Sequence, residues 1–197
     1  MIGKPESYPA RLEVDYPEQL NRLTTLLRVI WIIPVLVILV LLSGGEEAIA
    51  TGLAMATALM IVVRQRYPRW WFDFSRELAR FEGRVIAYLA LLTDQPPSTV
   101  EEQSVHIEID YPDVEQDLNR WLPLVKWLLA IPHFIALLVL GVLAIVAVVI
   151  AWFAILITGR YPRGLFDFVV GVLRWALRVQ AYAFLLVTDR YPPFRLS

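Results

Sequence analysis

The sequence predicts a mainly α-helical membrane protein made of two tandem repeats. Each repeat is expected to hold a short β-strand, a transmembrane helical hairpin and an amphipathic interfacial helix. That gives four spans, or six if the amphipathic helices also cross, with a small cytoplasmic β element. Three observations carry the prediction. Hydrophobic residues make up 58% of the 197, with a mean hydropathy of +0.58, above the ~45–50% apolar share of an average soluble domain. The excess is concentrated in Val29–Val63 and Trp127–Thr158, neither of which contains a Lys or Arg. Finally, the chain matches itself across nearly its whole length.

The self-match sets the boundaries. Leu12-Glu13-Val14-Asp15-Tyr16-Pro17 returns as Ile107-Glu108-Ile109-Asp110-Tyr111-Pro112, and Leu20-Asn21-Arg22 as Leu118-Asn119-Arg120. Ile33-Pro34 matches Ile131-Pro132, Arg66-Tyr67-Pro68-Arg69 matches Arg160-Tyr161-Pro162-Arg163, and Phe72-Asp73-Phe74 matches Phe166-Asp167-Phe168. Arg80, Arg84 and Tyr88 match Arg174, Arg178 and Tyr182, and Thr93-Asp94 matches Thr188-Asp189. The first repeat is placed at 1–97, a Pro- and Ser-containing linker at 98–104 and the second repeat at 105–197.

Each unit opens with a strand, at 11–15 and 105–110, in which apolar residues alternate with Glu13, Asp15, His106, Glu108 and Asp110. Tyr-Pro ends it, because proline donates no ladder hydrogen bond. The first hairpin, 23–63, is expected to turn at Ser43-Gly44-Gly45-Glu46-Glu47, where glycines and carboxylates interrupt the apolar run. In the second, 121–158, only Gly141 marks a turn, between arms at Trp121–Leu140 and Val142–Thr158. The arms sit near the lower end of the ~17–25 residues that cross a bilayer, so a shallow hairpin within one leaflet is the alternative. Pro34 and Pro132 are expected to kink their helices. The amphipathic helices are placed at 72–92 and 166–188. Phe74, Leu78, Phe81, Val85, Tyr88 and Leu92 recur on one face of the first, and Arg76, Arg80 and Arg84 on another.

Every Lys and Arg lies outside Val29–Val63 and Trp127–Thr158, so the positive-inside tendency puts both termini and the linker in the cytoplasm. Met1–Pro17 has no apolar core of a cleaved signal, so insertion is expected to be signalled by the first membrane helix. The absence of cysteine excludes disulfides, thiolate metal sites and cysteine nucleophiles. His106 and His133, far apart and without a carboxylate motif, form no metal-ligand set; His133 reads as a packed or interfacial residue. No phosphate loop or nucleophile elbow is present, so no catalytic residue and no cofactor are assigned. Nucleic acid and a small-molecule substrate have no support as partners.

What is left is interfacial. Arg76, Arg80, Arg84, Arg174 and Arg178 are candidates for anionic lipid headgroups. Arg66, Tyr67, Arg69 and Asp73, with Arg160, Tyr161, Arg163 and Asp167, form a motif at the hairpin-to-helix turn, where each aspartate reads as a salt bridge or helix-start charge rather than a cation site. Trp31, Trp70, Trp71, Trp121, Trp127, Trp152 and Trp175 read as an aromatic belt.

The strand motif, Arg66-Tyr67-Pro68 with Phe72-Asp73-Phe74, and Leu186-Val187-Thr188-Asp189-Arg190-Tyr191-Pro192-Pro193-Phe194 together resemble DUF4389, a bacterial family of unknown function. The resemblance covers each repeat almost end to end, and the first copy departs from it at Thr93-Asp94-Gln95-Pro96-Pro97. It implies a bacterial membrane protein and brings no activity with it. The expected role is therefore a non-enzymatic scaffold or accessory subunit of the bacterial inner membrane. Such a protein would oligomerise or join a larger membrane complex, pairing through an exposed strand edge. A small ion channel or transporter formed by an oligomer is the alternative.

Overall fold

The computed structural model describes residues 8–28, 33, 46–98, 101 and 103–197. Pro34, Trp31 and the Ser43–Gly45 part of the first turn lie outside them. The chain is mainly helical with one two-stranded antiparallel ribbon, β1 (Ala10–Val14) against β2 (Val105–Ile109). Helical residues 22–28 form α1, followed by α2 (Glu46–Arg64) and α3 (Arg69–Leu89) in the first repeat. The second repeat has a 3₁₀ turn at Leu122–Leu124, a short α4 (Lys126–Leu129), a long α5 (Ile131–Thr158) and α6 (Arg163–Ala183).

The predicted strands pair with each other, with Leu12 opposite Ile107 at the centre. Alternation does what it predicts: Ala10, Leu12, Val105, Ile107 and Ile109 are buried, whereas Glu13, His106 and Glu108 are exposed. The helices then exchange partners. β1 packs on α6, the helix of the other repeat, and β2 packs on α3. The two repeats are therefore interlocked across the ribbon rather than strung side by side.

Both amphipathic helices begin earlier and stop earlier than the hydrophobic pattern predicts. They open immediately after Pro68 and Pro162, whose fixed φ suits a helix entrance and whose missing N–H leaves nothing unsatisfied there. Beyond their ends, Leu91 and Leu186 hold left-handed backbone at φ 64° and 57°, which halts helical propagation. The Leu92 amide closes the first turn on Ala87 O, and the Leu185 amide closes the second on Gln180 O.

The second hairpin does not form. α5 runs unbroken for 28 residues through Gly141. One interior glycine costs a helix only about 0.5–1 kcal/mol, and here it stands in a long run of apolar residues with no polar group to divert the backbone. Pro132 kinks nothing either. It occupies the first turn of α5, where its amide would lack a partner anyway, and the break falls at Ala130, between α4 and α5. Among the described residues α5 is the one helix long and apolar enough to cross a membrane, so the four-span count loses its second hairpin. The helix ends at Gly159, left-handed at φ 75°, as α2 is followed by Gln65 at φ 47°.

The core lies between the ribbon's apolar face, α3, α6 and one stripe of α5, made of Ala147, Ala151 and Ile155. A second cluster joins Ala130 to Trp175, Val179, Tyr182 and Ala183. Trp175 is thus a core residue and not part of an interfacial belt, while Trp70, Trp121 and Trp127 are exposed.

Candidate functional site

The recurring polar residues meet where the repeats interlock. At the ribbon's ends the Asp15 amide donates to Ser104 O and the Asp110 amide to Pro9 O. Antiparallel pairs alternate between bonded and non-bonded, so the central Leu12–Ile107 pair turns its amide groups outward, as free edges. An arginine takes the carbonyl on each side. Arg80 Nε donates to Ile107 O at 2.9 Å, and Arg174 Nε donates to Leu12 O at 3.1 Å. These arginines match in the repeat, and each holds the strand of the other copy. The edge expected to recruit a partner strand is blunted at its centre by guanidinium groups.

The interfacial motif is exchanged in the same manner. Tyr16 donates its hydroxyl to Tyr161 O and Tyr111 donates to Tyr67 O, both at 2.5 Å. Tyr16 meets Phe166 edge-on at 5.0 Å, and Tyr111 meets Phe72 likewise at 5.0 Å. Arg163 lies 4.5 Å over the Tyr16 ring and Arg69 4.6 Å over Tyr111. Each aromatic pair contributes about 0.5–1.5 kcal/mol beyond its burial, so the two boxes brace both Tyr-Pro junctions. Tyr67 is buried and donates to Leu185 O at 3.1 Å; desolvation pushes its phenol up to about 12, so the hydroxyl remains a donor.

A third pair of sites closes each repeat on itself, through residues to which no local sequence pattern assigns a role. Asp94 accepts the Asn21 amide at 2.7 Å and pairs with Arg28 at 2.5 Å. Asp189 accepts the Asn119 amide at 2.5 Å and pairs with Lys126 at 2.6 Å. Asn21 and Asn119 cap the chain beyond them through Leu23 N and Trp121 N, each at 2.9 Å. Lys126 is fully buried and Arg28 nearly so; the ammonium also donates to Thr188 O, and the guanidinium to Tyr88 O. Burial holds the Lys126 ammonium below the usual lysine range, partly offset by Asp189. The signal was in the repeat: Arg28 stands 98 residues before Lys126, the offset that relates Asn21 to Asn119.

The remaining sequence-predicted residues are placed as follows. Arg178 is buried and donates to Arg195 O at 3.2 Å and to Ser197 O, tying down the C-terminal segment. Arg84 donates to Ser98 O in the linker. Arg76 pairs with Asp73 at 3.3 Å and Glu77 at 3.1 Å, so the Asp73 partner is Arg76, one turn further along the same helix. Asp167, Arg66 and Arg160 are exposed. His133 is buried and takes the Trp175 indole hydrogen bond at 3.1 Å, as a packed histidine would. His106 faces Asp15 at 3.3 Å on the exposed ribbon face.

Chemically, these constellations fix backbone; none aligns a nucleophile with a base. Among the described residues no group of three or more His, Cys, Asp or Glu is disposed to hold a metal ion. An open groove of about 890 Å³ runs between the end of α2 and the Tyr111–Glu115 segment, with Leu59, Met60 and Val63 below Arg64 and Arg66.

Comparison with curated proteins and with solved structures gives no match. The family model described as a domain of unknown function, DUF4389, matches residues 22–100 and again residues 121–195. The chain therefore belongs to the DUF4389 family and carries two tandem copies of its domain.

Proposed function

We propose that the protein is a non-enzymatic membrane scaffold or accessory subunit of the bacterial inner membrane, with its ribbon and termini on the cytoplasmic side. The observation that carries this reading is where the repeated charges go. Arg80, Arg174, Arg178, Lys126 and Arg28 are all engaged by backbone carbonyls or a carboxylate of the same chain. Cations held this way, Arg28, Lys126 and Arg178 buried and Arg80 and Arg174 half-buried, support a role in fixing the fold. Anionic lipid is the proposed small partner, met by the exposed Arg64, Arg66 and Arg160. With the ribbon edges capped, assembly with a second copy or a larger complex is assigned to the groove beside Arg64–Pro68.

Native mass spectrometry of the complex, extracted in a lipid-retaining medium, tests the reading. A defined oligomer or a stable heteromeric complex with bound anionic lipid is expected. A lone monomer that recruits nothing would overturn it.

A further inference from the structure

We infer that the second repeat is embedded in one leaflet without crossing the bilayer: α5 lies in the membrane plane, its outer face against acyl chains. This deepens the membrane placement of the proposed function, and depth is read independently of stoichiometry.

The two faces of α5 differ in kind. Toward α6 it presents His133, Ala144, Ala147, Ala151 and Ile155. On the opposite face Ile135, Leu138, Val142, Val146, Val149 and Phe153 are each at least half exposed. Helix pairs in lipid meet through small residues. The small stripe is already used on α6, and the outward face carries the large branched side chains that suit acyl chains better than a second helix. Neither Asp, Glu, Lys nor Arg occurs from Trp127 to Thr158, and the most apolar 18 residues of α5 have a mean hydropathy of 3.3.

The layers behind α5 decide its orientation. α6 returns along α5: Trp175 bonds to His133 and Phe184 meets Phe134 at 6.0 Å near one end, while buried Tyr161 lies in the connector at the other. α6 in turn is tied to the ribbon by Arg174 and to the C-terminal segment by Arg178. The outer ribbon face carries Glu13 and the ion pairs of Arg11 with Glu108 and Asp110. If α5 stood along the bilayer normal, this attached layer would enter the hydrocarbon beside it. Charged side chains are strongly disfavoured in the hydrocarbon. Laid flat, the same layers fall in order of depth: α5 among acyl chains, α6 at the headgroups and the ribbon in water. Flat placement also suits its length of about 42 Å at 1.5 Å per residue, longer than the ~30 Å hydrocarbon core. Exposed Trp121 and Trp127 before α5 and exposed Arg160 and Arg163 after it then lie at the same headgroup level.

The test uses the full chain, which has no native cysteine, in vesicles of phosphatidylethanolamine and phosphatidylglycerol. Single cysteines at Ile135, Leu138, Val142, Val146, Val149 and Phe153 are spin-labelled, and their depth is read from collisions with oxygen and a water-soluble nickel chelate. One common shallow depth is expected, with Trp127→Cys and Thr158→Cys reacting with an impermeant maleimide from the same side. A profile deepest at Val142 and rising toward opposite sides overturns the inference, as does a face reached by neither quencher, the mark of a protein partner. Oriented circular dichroism of the unsubstituted protein keeps the test decisive if a label disturbs folding. Helices near the membrane plane support the inference, and a spectrum dominated by helices along the normal overturns it. A monomer in the mass measurement would defeat the scaffold reading and leave this depth profile standing.

Discussion

Lys126 and Asp189 sit 2.6 Å apart with the ammonium wholly shielded from solvent. Removing one partner strands the other charge, which costs about 3–5 kcal/mol in a buried pair. Asp189→Asn is therefore expected to lower the thermal midpoint sharply, with Lys126→Met combined with it restoring much of the loss. Equal midpoints for the single and double variants in detergent would refute the pairing. The same lysine gives a pH signature. Its pKa is lowered in the folded state by burial, so between that value and the ordinary 10.5 the unfolded chain binds more protons. Stability from this group then rises with pH through that window and is missing below it. Lys126→Arg, which does not titrate there, is expected to remove this rise, and the difference between the two unfolding curves as pH falls below 10.5 reports it.

At the scale of elements, two glycines show where backbone contact matters. A Cβ on Gly171 of α6 would come within 2.8 Å of Leu196 Cβ and 3.0 Å of Leu196 O, so the C-terminal segment would have to move. On Gly83 of α3 it would meet only the Cδ1 end of Ile107, at 2.2 Å, which a rotamer change relieves. Gly171→Ala is expected to speed carboxypeptidase digestion of the last residues several-fold, and Gly83→Ala to leave that rate near wild type. The left-handed leucines that end α3 and α6 belong to this scale too. Leu91 and Leu186 are both buried and hold a conformation costing about 1–2 kcal/mol for a side chain with a Cβ. Each sets the turn that delivers the aspartate three residues later, so the strain is compensated by the ion pair it positions.

For the whole molecule the exchange of strands and helices makes one folding unit of two repeats. Cutting the linker at 98–104 and expressing residues 1–98 and 103–197 separately is expected to give two insoluble or unstable halves. Co-expressed, they should co-purify, because each half supplies the arginine that caps the strand of the other. Either half folding alone as a stable monomer would show that the exchange is incidental. Replacing Arg80 and Arg174 together by Gln is expected to weaken recovery of the pair more than either single change.

The sequence by itself determined the repeat, the family, the two strands with their buried faces, and two amphipathic helices within a few residues. These follow from local rules: alternation, helical period and the stereochemistry of proline. It also carried the signal for the Arg28 and Lys126 sites, as matched positions with no stated role. Only the tertiary structure decided that Gly141 does not turn, that Pro132 opens a helix instead of bending one, and that Arg80 and Arg174 face strands, Arg84 the linker and Arg178 the tail. An arginine row on a helix reads alike whether it faces headgroups or the carbonyls of another segment, because its period records a polar face and not what lies against it. Which segment lies there depends on contacts across the linker, and those are fixed by how the two copies pack, where no local pattern reaches.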